Sequence, residues 1–214
     1  MSISFEKKVD AFINNTEVDV ENYAKSNNKT NLLDRSFNSE TVANINTKVV
    51  IVGTYTPKSG RTNGYYYTSS RRNYMYKIID NYFELNGELI DKKEYLINHP
   101  GDKNTIDDIK TIFIRLNIAF IDVIDYAVSP DDDASDDAIE FFSLDRNIFN
   151  KVNKDAVFIC NSKKSKHAFE KMFPSKICEY AAQKRQCMSY NWHYSNWELV
   201  LDKYYDRNLK SWKI

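Results

Sequence analysis

Three short apolar runs set the strongest constraint on this chain: KVVIVG from Lys48 to Gly53, IAFIDV from Ile118 to Val123, and AVFIC from Ala156 to Cys160. Each has the length of a strand and does not alternate with polar residues, the pattern of strands buried on both faces. The segments between them carry helical spacing. NYMYKIIDNYF (Asn73–Phe83) is one; TIDDIKTIFIRL (Thr105–Leu116) is another, with Thr105 as its N-cap and Asp108 three residues on. Asp136–Phe149 is expected to be helical, as is Lys163–Phe173, capped by Asn161 or Ser162. Gln186–Tyr190 is expected to be a fourth, short strand and Ser195–Trp212 a last helix. Strands alternating with helices predict a mostly parallel sheet covered on both faces.

Residues 1–46 read as an N-terminal extension. Phe5, Val9, Phe12 and Ile13 recur at helical spacing, and Lys25–Asn46 is an Asn-, Ser- and Thr-rich stretch expected to be irregular. Residues 47–214 form the main domain. The chain's length of 214 residues suits one domain, and 42% hydrophobic residues are enough for a real core. The three cysteines (160, 178, 187) are too scattered for a zinc or iron–sulfur site and suit a reducing, cytoplasmic setting. No apolar leader and no membrane-length apolar window is visible. No metal or cofactor is expected; the Asp131–Asp133 run lacks the glycine and glutamate of a calcium loop.

Lys+Arg and Asp+Glu both number 30, but they are not mixed evenly. Lys48–Ile79 holds six Lys/Arg and no acid, and Asp122–Asp145 holds nine acids and no base. Such a bipolar surface can steer a polyanion to one face. In parallel sheets ligands gather beyond the carboxyl ends of the strands, which brings together three expected loops: 53–72, 122–136 and 190–195. The first offers backbone N–H groups around Gly53, Thr54 and Gly60, cations at Lys58, Arg61, Arg71 and Arg72 for phosphates, and tyrosine faces for stacking a base. It is neither a Walker loop nor a dinucleotide fingerprint. Because neighbours on an extended chain alternate in direction, at most two of Tyr65, Tyr66 and Tyr67 can enter a site.

The order of these residues resembles the uracil-DNA glycosylase superfamily, nearest its hypoxanthine-DNA glycosylase-like and mismatch-specific branches. A first strand ends in Gly53-Thr54-Tyr55-Thr56-Pro57, like the family's G-[ST]-x-P loop with one residue added. Gly64-Tyr65-Tyr66-Tyr67 resembles G-x-Y-Y, and Arg72-Asn73-Tyr74-Met75-Tyr76 resembles R-N-x-[FY]-[WY]. Ile118–Val123 followed by Ala134–Ile139, then Val157–Lys164, and a close at Leu209–Trp212 resemble later blocks, so the likeness spans roughly 48–212. The family's Ser/Pro-rich last loop is replaced by Met188–Asn196, which has no proline.

The resemblance implies a three-layer α/β/α fold with a short four-stranded sheet. It also implies a monofunctional DNA glycosylase that hydrolyses the N-glycosidic bond of a flipped-out uracil, hypoxanthine or similar base, with DNA as partner. Extrusion of a base costs a few kcal/mol and stacking returns about 1–3 kcal/mol per base. Asn73 is the candidate for orienting water and His193 for donating to the leaving base. Gly53, Thr54, Tyr55, Tyr66, Tyr67 and Asp122 are candidates for holding the base. Lys58, Arg61, Arg71, Arg72, Asn161, Lys163, Ser189, Asn191 and Trp192 are candidates for holding DNA. Read alone, Asn73 also suits a helix cap, His193 an exposed loop, and Asp122 a loop cap or arginine partner. The competing readings are a non-catalytic base- or nucleotide-binding module, such as one recognising modified foreign DNA, and an enzyme on free nucleosides.

Overall fold

The structure, a computed structural model, describes residues 4–13, 20–35, 37–55, 64–68, 73–128, 141–144, 148–181 and 189–214. In chain order its elements are α1 (Phe5–Ile13), α2 (Val20–Ser26), β1 (Leu33–Arg35), β2 (Val49–Gly53), α3 (Met75–Tyr82), α4 (Glu88–Asn98), α5 (Lys103–Leu116) and β3 (Ile118–Asp122). They continue with β4 (Ile124–Val128), β5 (Phe141–Leu144), β6 (Val157–Cys160), α6 (Lys163–Met172), β7 (Cys178–Tyr180), α7 (Tyr190–Leu201), β8 (Tyr205–Asp206) and β9 (Ser211–Trp212).

The three apolar runs form the centre of a four-stranded parallel sheet in the order β3-β2-β6-β7. Side chains alternate along each strand and so divide the core in two. Val49, Ile51, Ile118, Phe120 and Ile159 face one side, where they meet Tyr76 and Ile79 of α3, Leu89 of α4, Ile109 and Phe113 of α5, and Trp197 of α7. Val50, Val52, Ile121, Phe158 and Cys160 face the other side, where they meet Phe5 and Val9 of α1 and Ala168, Phe169 and Met172 of α6. This is an α/β/α sandwich. Each aliphatic side chain fully buried in it contributes roughly 1.5–3 kcal/mol. The sulfurs of Cys160 and Cys178 meet across β6 and β7, with Cα atoms 6.5 Å apart.

Several expectations shift. Of the expected helix over 136–149, residues 141–144 form β5 instead, which pairs antiparallel with β4, itself flanked by β1 in a small second sheet, while 136–140 and 145–147 lie outside the described residues. The stretch 122–136 therefore holds a strand where a loop was expected. The irregular arm supplies β1, and its polar residues are spent on the main sheet: Thr41 Oγ1 donates 2.6 Å to the Phe120 carbonyl. The fourth strand is 178–180; Ser189 and Tyr190 belong to the start of α7, and 186–188 lie outside the described residues. The last helix ends at Leu201, not Trp212, because the aromatics beyond it pair across a hairpin. Tyr205 and Trp212 rings sit 4.9 Å apart, and Trp212 Nε1 donates 2.9 Å to the Leu116 carbonyl. α5 starts earlier than expected, since Asp102, not Thr105, caps it and accepts from the Thr105 N–H at 2.9 Å. Among the described residues, no helix is long and apolar enough to cross a membrane.

Candidate functional site

The site follows from parallel register. Gly53 pairs with Asp122 on one side, and Val52 pairs with Cys160 on the other, with Asn161 N–H donating 3.1 Å to the Val52 carbonyl. Asp122, Gly53 and Asn161 therefore stand abreast at the carboxyl ends of β3, β2 and β6. By the two-residue alternation they share the face of Ile51, Phe120 and Ile159, which α3, α5 and α7 cover. A side chain at Gly53 is excluded by sterics. A Cβ there would collide with Asp122 Oδ1 and lie 2.7 Å from the Tyr67 hydroxyl.

The three tyrosines divide their work. Tyr65 is wholly buried against Phe113, and burial pushes its hydroxyl well above the usual range. Tyr66 is wholly buried too, and its hydroxyl donates 3.0 Å to Asn38 Oδ1. Asn38 in turn clasps the backbone of Asp122, donating 2.8 Å to its carbonyl and accepting 2.9 Å from its N–H. Tyr67 adopts a left-handed backbone (φ +57) that turns its ring back over the strand ends. There it packs on Phe120 at 5.1 Å and accepts a 2.6 Å hydrogen bond from Asn161 Nδ2. Of the triple, Tyr67 is the one that reaches the Gly53 edge.

Other candidates surround this edge. Thr54 and Ser162 hydroxyls are 3.1 Å apart. Ser162 caps α6 in a reciprocal pair with Ser165, so Lys163 sits exposed on the first turn of that helix. Tyr55 packs instead with the cluster on the opposite sheet face, although its hydroxyl is pushed up by burial and by the nearby Asp122 carboxylate. Asp122 is itself buried rather than placed on a loop surface.

Asn73 lies half-buried two residues ahead of α3, and its Oδ1 accepts 3.0 Å from the Met75 N–H. The next ring, Tyr74, stands 5.6 Å from His193 and 5.7 Å from Tyr190. Tyr74, which follows Asn73 in the chain, thus neighbours His193 and packs on the cluster that covers the Ile51 and Phe120 face. His193 is not on a loop: it is 1% exposed in the first turn of α7, on the inward stripe it shares with Trp197 and Val200. The tryptophan–histidine segment, expected as loop, is helical because that stripe has helical spacing. Ser189 caps the helix, accepting from the Trp192 N–H at 3.4 Å; Asn191 is exposed and Trp192 half-buried. Lys58, Arg61, Arg71 and Arg72 lie outside the described residues.

Sequence reasoning missed Lys93. It lies on α4 between Leu89 and Leu96 on the inward stripe, is 5% exposed, and donates a 2.5 Å hydrogen bond to the Asn73 carbonyl. Its signal was available, as a lysine at a core-facing helical position. Among the described residues no cluster of three His, Cys, Asp or Glu is placed to hold a metal. A cavity of about 330 Å³ lies elsewhere, beside the starts of β6 and β7, lined by Lys154, Phe158, Lys176, Glu179 and Tyr204 among others.

No family model matches the chain, and no curated protein matches it. A solved structure does: the solution structure of a protein from Methanosarcina acetivorans described as a "putative Uracil DNA glycosylase", at TM-score 0.53 and 15% identity, covering 84% of this chain and 99% of that one. At that identity the likeness is one of fold, and the chain shares the three-layer α/β/α architecture of that structure.

Proposed function

We propose that this chain is a DNA glycosylase that hydrolyses the N-glycosidic bond of a deaminated or otherwise modified base flipped out of DNA. The observation that carries the reading is the convergence of Asp122, Gly53 and Asn161 under Tyr67 at the strand ends, on the sheet face whose cluster Tyr74 joins beside His193. Cleavage develops positive charge on the sugar and negative charge on the departing base. Donors fixed in place before the reaction stabilise that charge separation better than they stabilise the ground state.

Each group has a role in this reading. Asn73 orients the attacking water; an amide is a poor general base, so the expected rates are modest. His193, held in the wall formed with Tyr74, donates to the leaving base. The Asn161 amide and the Gly53–Tyr55 backbone address the base edge, and the Tyr67 ring contacts its face. Asp122 faces the sugar and base from the β3 end. Lys163 at the start of α6 adds cationic charge to a helix N-terminus, which suits a DNA phosphate. Lys58, Arg61, Arg71, Arg72, Ser189, Asn191 and Trp192 complete the DNA contacts.

A second reading is favoured by one observation. The Asn73 side-chain oxygen is engaged by the Met75 N–H as in a helix cap, which suits a module that binds a base or nucleotide without cutting. Duplex oligonucleotides carrying a single uracil, hypoxanthine, xanthine or modified cytosine separate the two. Alkali-labile sites that disappear in Asn73→Ala support the enzyme. Tight binding with no cleavage supports the module, and activity confined to nucleosides refutes both.

A further inference from the structure

We propose that Lys93 is a positioning residue for Asn73: its side chain, reaching from α4, holds the Asn73 carbonyl and so fixes the direction in which the asparagine enters the site. The inference rests on the reading of Asn73 as the water-orienting residue.

The geometry is specific. The first ladder bond of α3 runs from the Ile78 N–H to the Tyr74 carbonyl, so the Asn73 carbonyl stands one residue outside the helix. Lys93 Nζ meets that carbonyl at 2.5 Å. The Asn73 side chain is set from the other end by the Met75 N–H at 3.0 Å. Backbone carbonyl and side-chain oxygen are thus both anchored, one by α4 and one by α3, and the residue between β2 and α3 has little rotational freedom left.

The location of the lysine argues against a packing role. Leu89, Lys93 and Leu96 form one buried stripe of α4. A leucine or methionine there would fill the same space without burying an ammonium, a substitution that is often neutral or stabilising. Burial pushes Lys93 down to about 8 from its ordinary 10.5, against a smaller opposing effect from Glu94 beside it. The charged groups of α3 and α5, the helices packed against α4, are engaged elsewhere or, as Lys103 and Asp107 are, exposed. Asp80 of α3 accepts from the N–H groups of Gly87, Leu89 and Ile90. Lys77 of α3 lies over the Tyr190 ring, and on α5 Asp108 pairs with Lys92, Lys110 with Glu40 and Arg115 with Glu88. Among the described residues, the carbonyl of Asn73 is therefore the group this ammonium addresses. Misplacing a reacting group by about 1 Å can cost on the order of 100-fold in rate.

The test uses the full chain and Lys93→Met, which keeps the volume and removes the donor. On a duplex oligonucleotide that the wild type cleaves, Lys93→Met is expected to lower kcat by roughly 10- to 100-fold while KM stays within error and the melting temperature does not fall. Unchanged kcat, or a change confined to KM, overturns the proposal. A second measurement does not depend on activity or on the variant folding. In the wild type, the carbonyl carbon-13 shift of Asn73 should titrate with a midpoint near 8. A shift that stays flat from pH 6.5 to 9.5 overturns the proposal. A wild type that cleaves no substrate refutes the glycosylase reading alone, and the carbonyl titration still decides whether Lys93 holds Asn73.

Discussion

Asn161 donates a 2.6 Å hydrogen bond from Nδ2 to the Tyr67 hydroxyl, joining residues 94 positions apart at the end of β6. The bond closes the space over Gly53, because the same hydroxyl stands against the glycine where a Cβ would be. Gly53→Ala must displace both Tyr67 and Asp122. The expected result is a stability loss of about 1–3 kcal/mol in urea unfolding, the usual range for overpacking, and at least a tenfold loss of base binding or cleavage. Wild-type behaviour in both assays would mean that the strand ends are not tightly packed.

Tyr67→Phe isolates the hydroxyl. It leaves the ring on Phe120 but removes the partner of Asn161 Nδ2. A loss of about 1–3 kcal/mol is expected, because one member of a mostly buried pair is left unmatched. Chemical denaturation with the slope held constant measures it; no loss would show that water replaces the tyrosine at that amide.

Asn73→Ala distinguishes a cap from a catalytic group. Loss of the bond to the Met75 N–H should cost about 0.5–2 kcal/mol, as for other caps. If Asn73 also orients water, cleavage falls by far more than this stability change can explain. Retained cleavage with only the small stability loss would make it a cap and nothing else.

Asp80 organises the turn between α3 and α4. It is buried, and its carboxylate accepts from Gly87 N–H at 2.8 Å, Leu89 at 2.7 Å and Ile90 at 3.3 Å. Asp80→Ala strands these donors, with an expected cost of about 3 kcal/mol, read as a lower denaturation midpoint. Tyr76→Phe goes the other way. Among the described residues the Tyr76 hydroxyl is buried without a hydrogen-bond partner, so its removal should leave stability unchanged or raise it by about 1 kcal/mol. A clear loss would reveal a buried water bound there.

The pH dependence of stability follows from Lys93. Its folded-state value of about 8 lies below the ordinary 10.5 of the unfolded chain. Between these values the unfolded state holds more protons, so stability rises with pH there. The contribution is complete above about 10.5 and lost as pH falls through about 8. The stability of wild type relative to Lys93→Met should therefore climb from pH 8 to pH 10.5 and be flat below. A flat difference throughout would mean that Lys93 is solvated.

Three strands of the main sheet and most of the helices were legible because hydrophobic periodicity is local. KVVIVG, IAFIDV and AVFIC announced the sheet centre, and α3, α5 and α6 fell within a few residues of where their spacing put them. Legibility failed where long-range pairing overrode local pattern. Phe141–Leu144 joins β4 instead of extending a helix, and Tyr190–Ser195 is helical because His193 and Trp197 share a buried stripe. Trp212 turns back to pair with Tyr205.

What the sequence by itself determined is the three strands β2, β3 and β6, their burial on both faces, and the residue types at their carboxyl ends. Only the tertiary structure decided that Asp122, Gly53 and Asn161 stand abreast, that Tyr67 rather than Tyr55 covers them, and that Lys93 reaches Asn73. Register between strands and the direction of a buried side chain are set by contacts between residues far apart in the chain, and a one-residue slip would turn each of these groups to the opposite face.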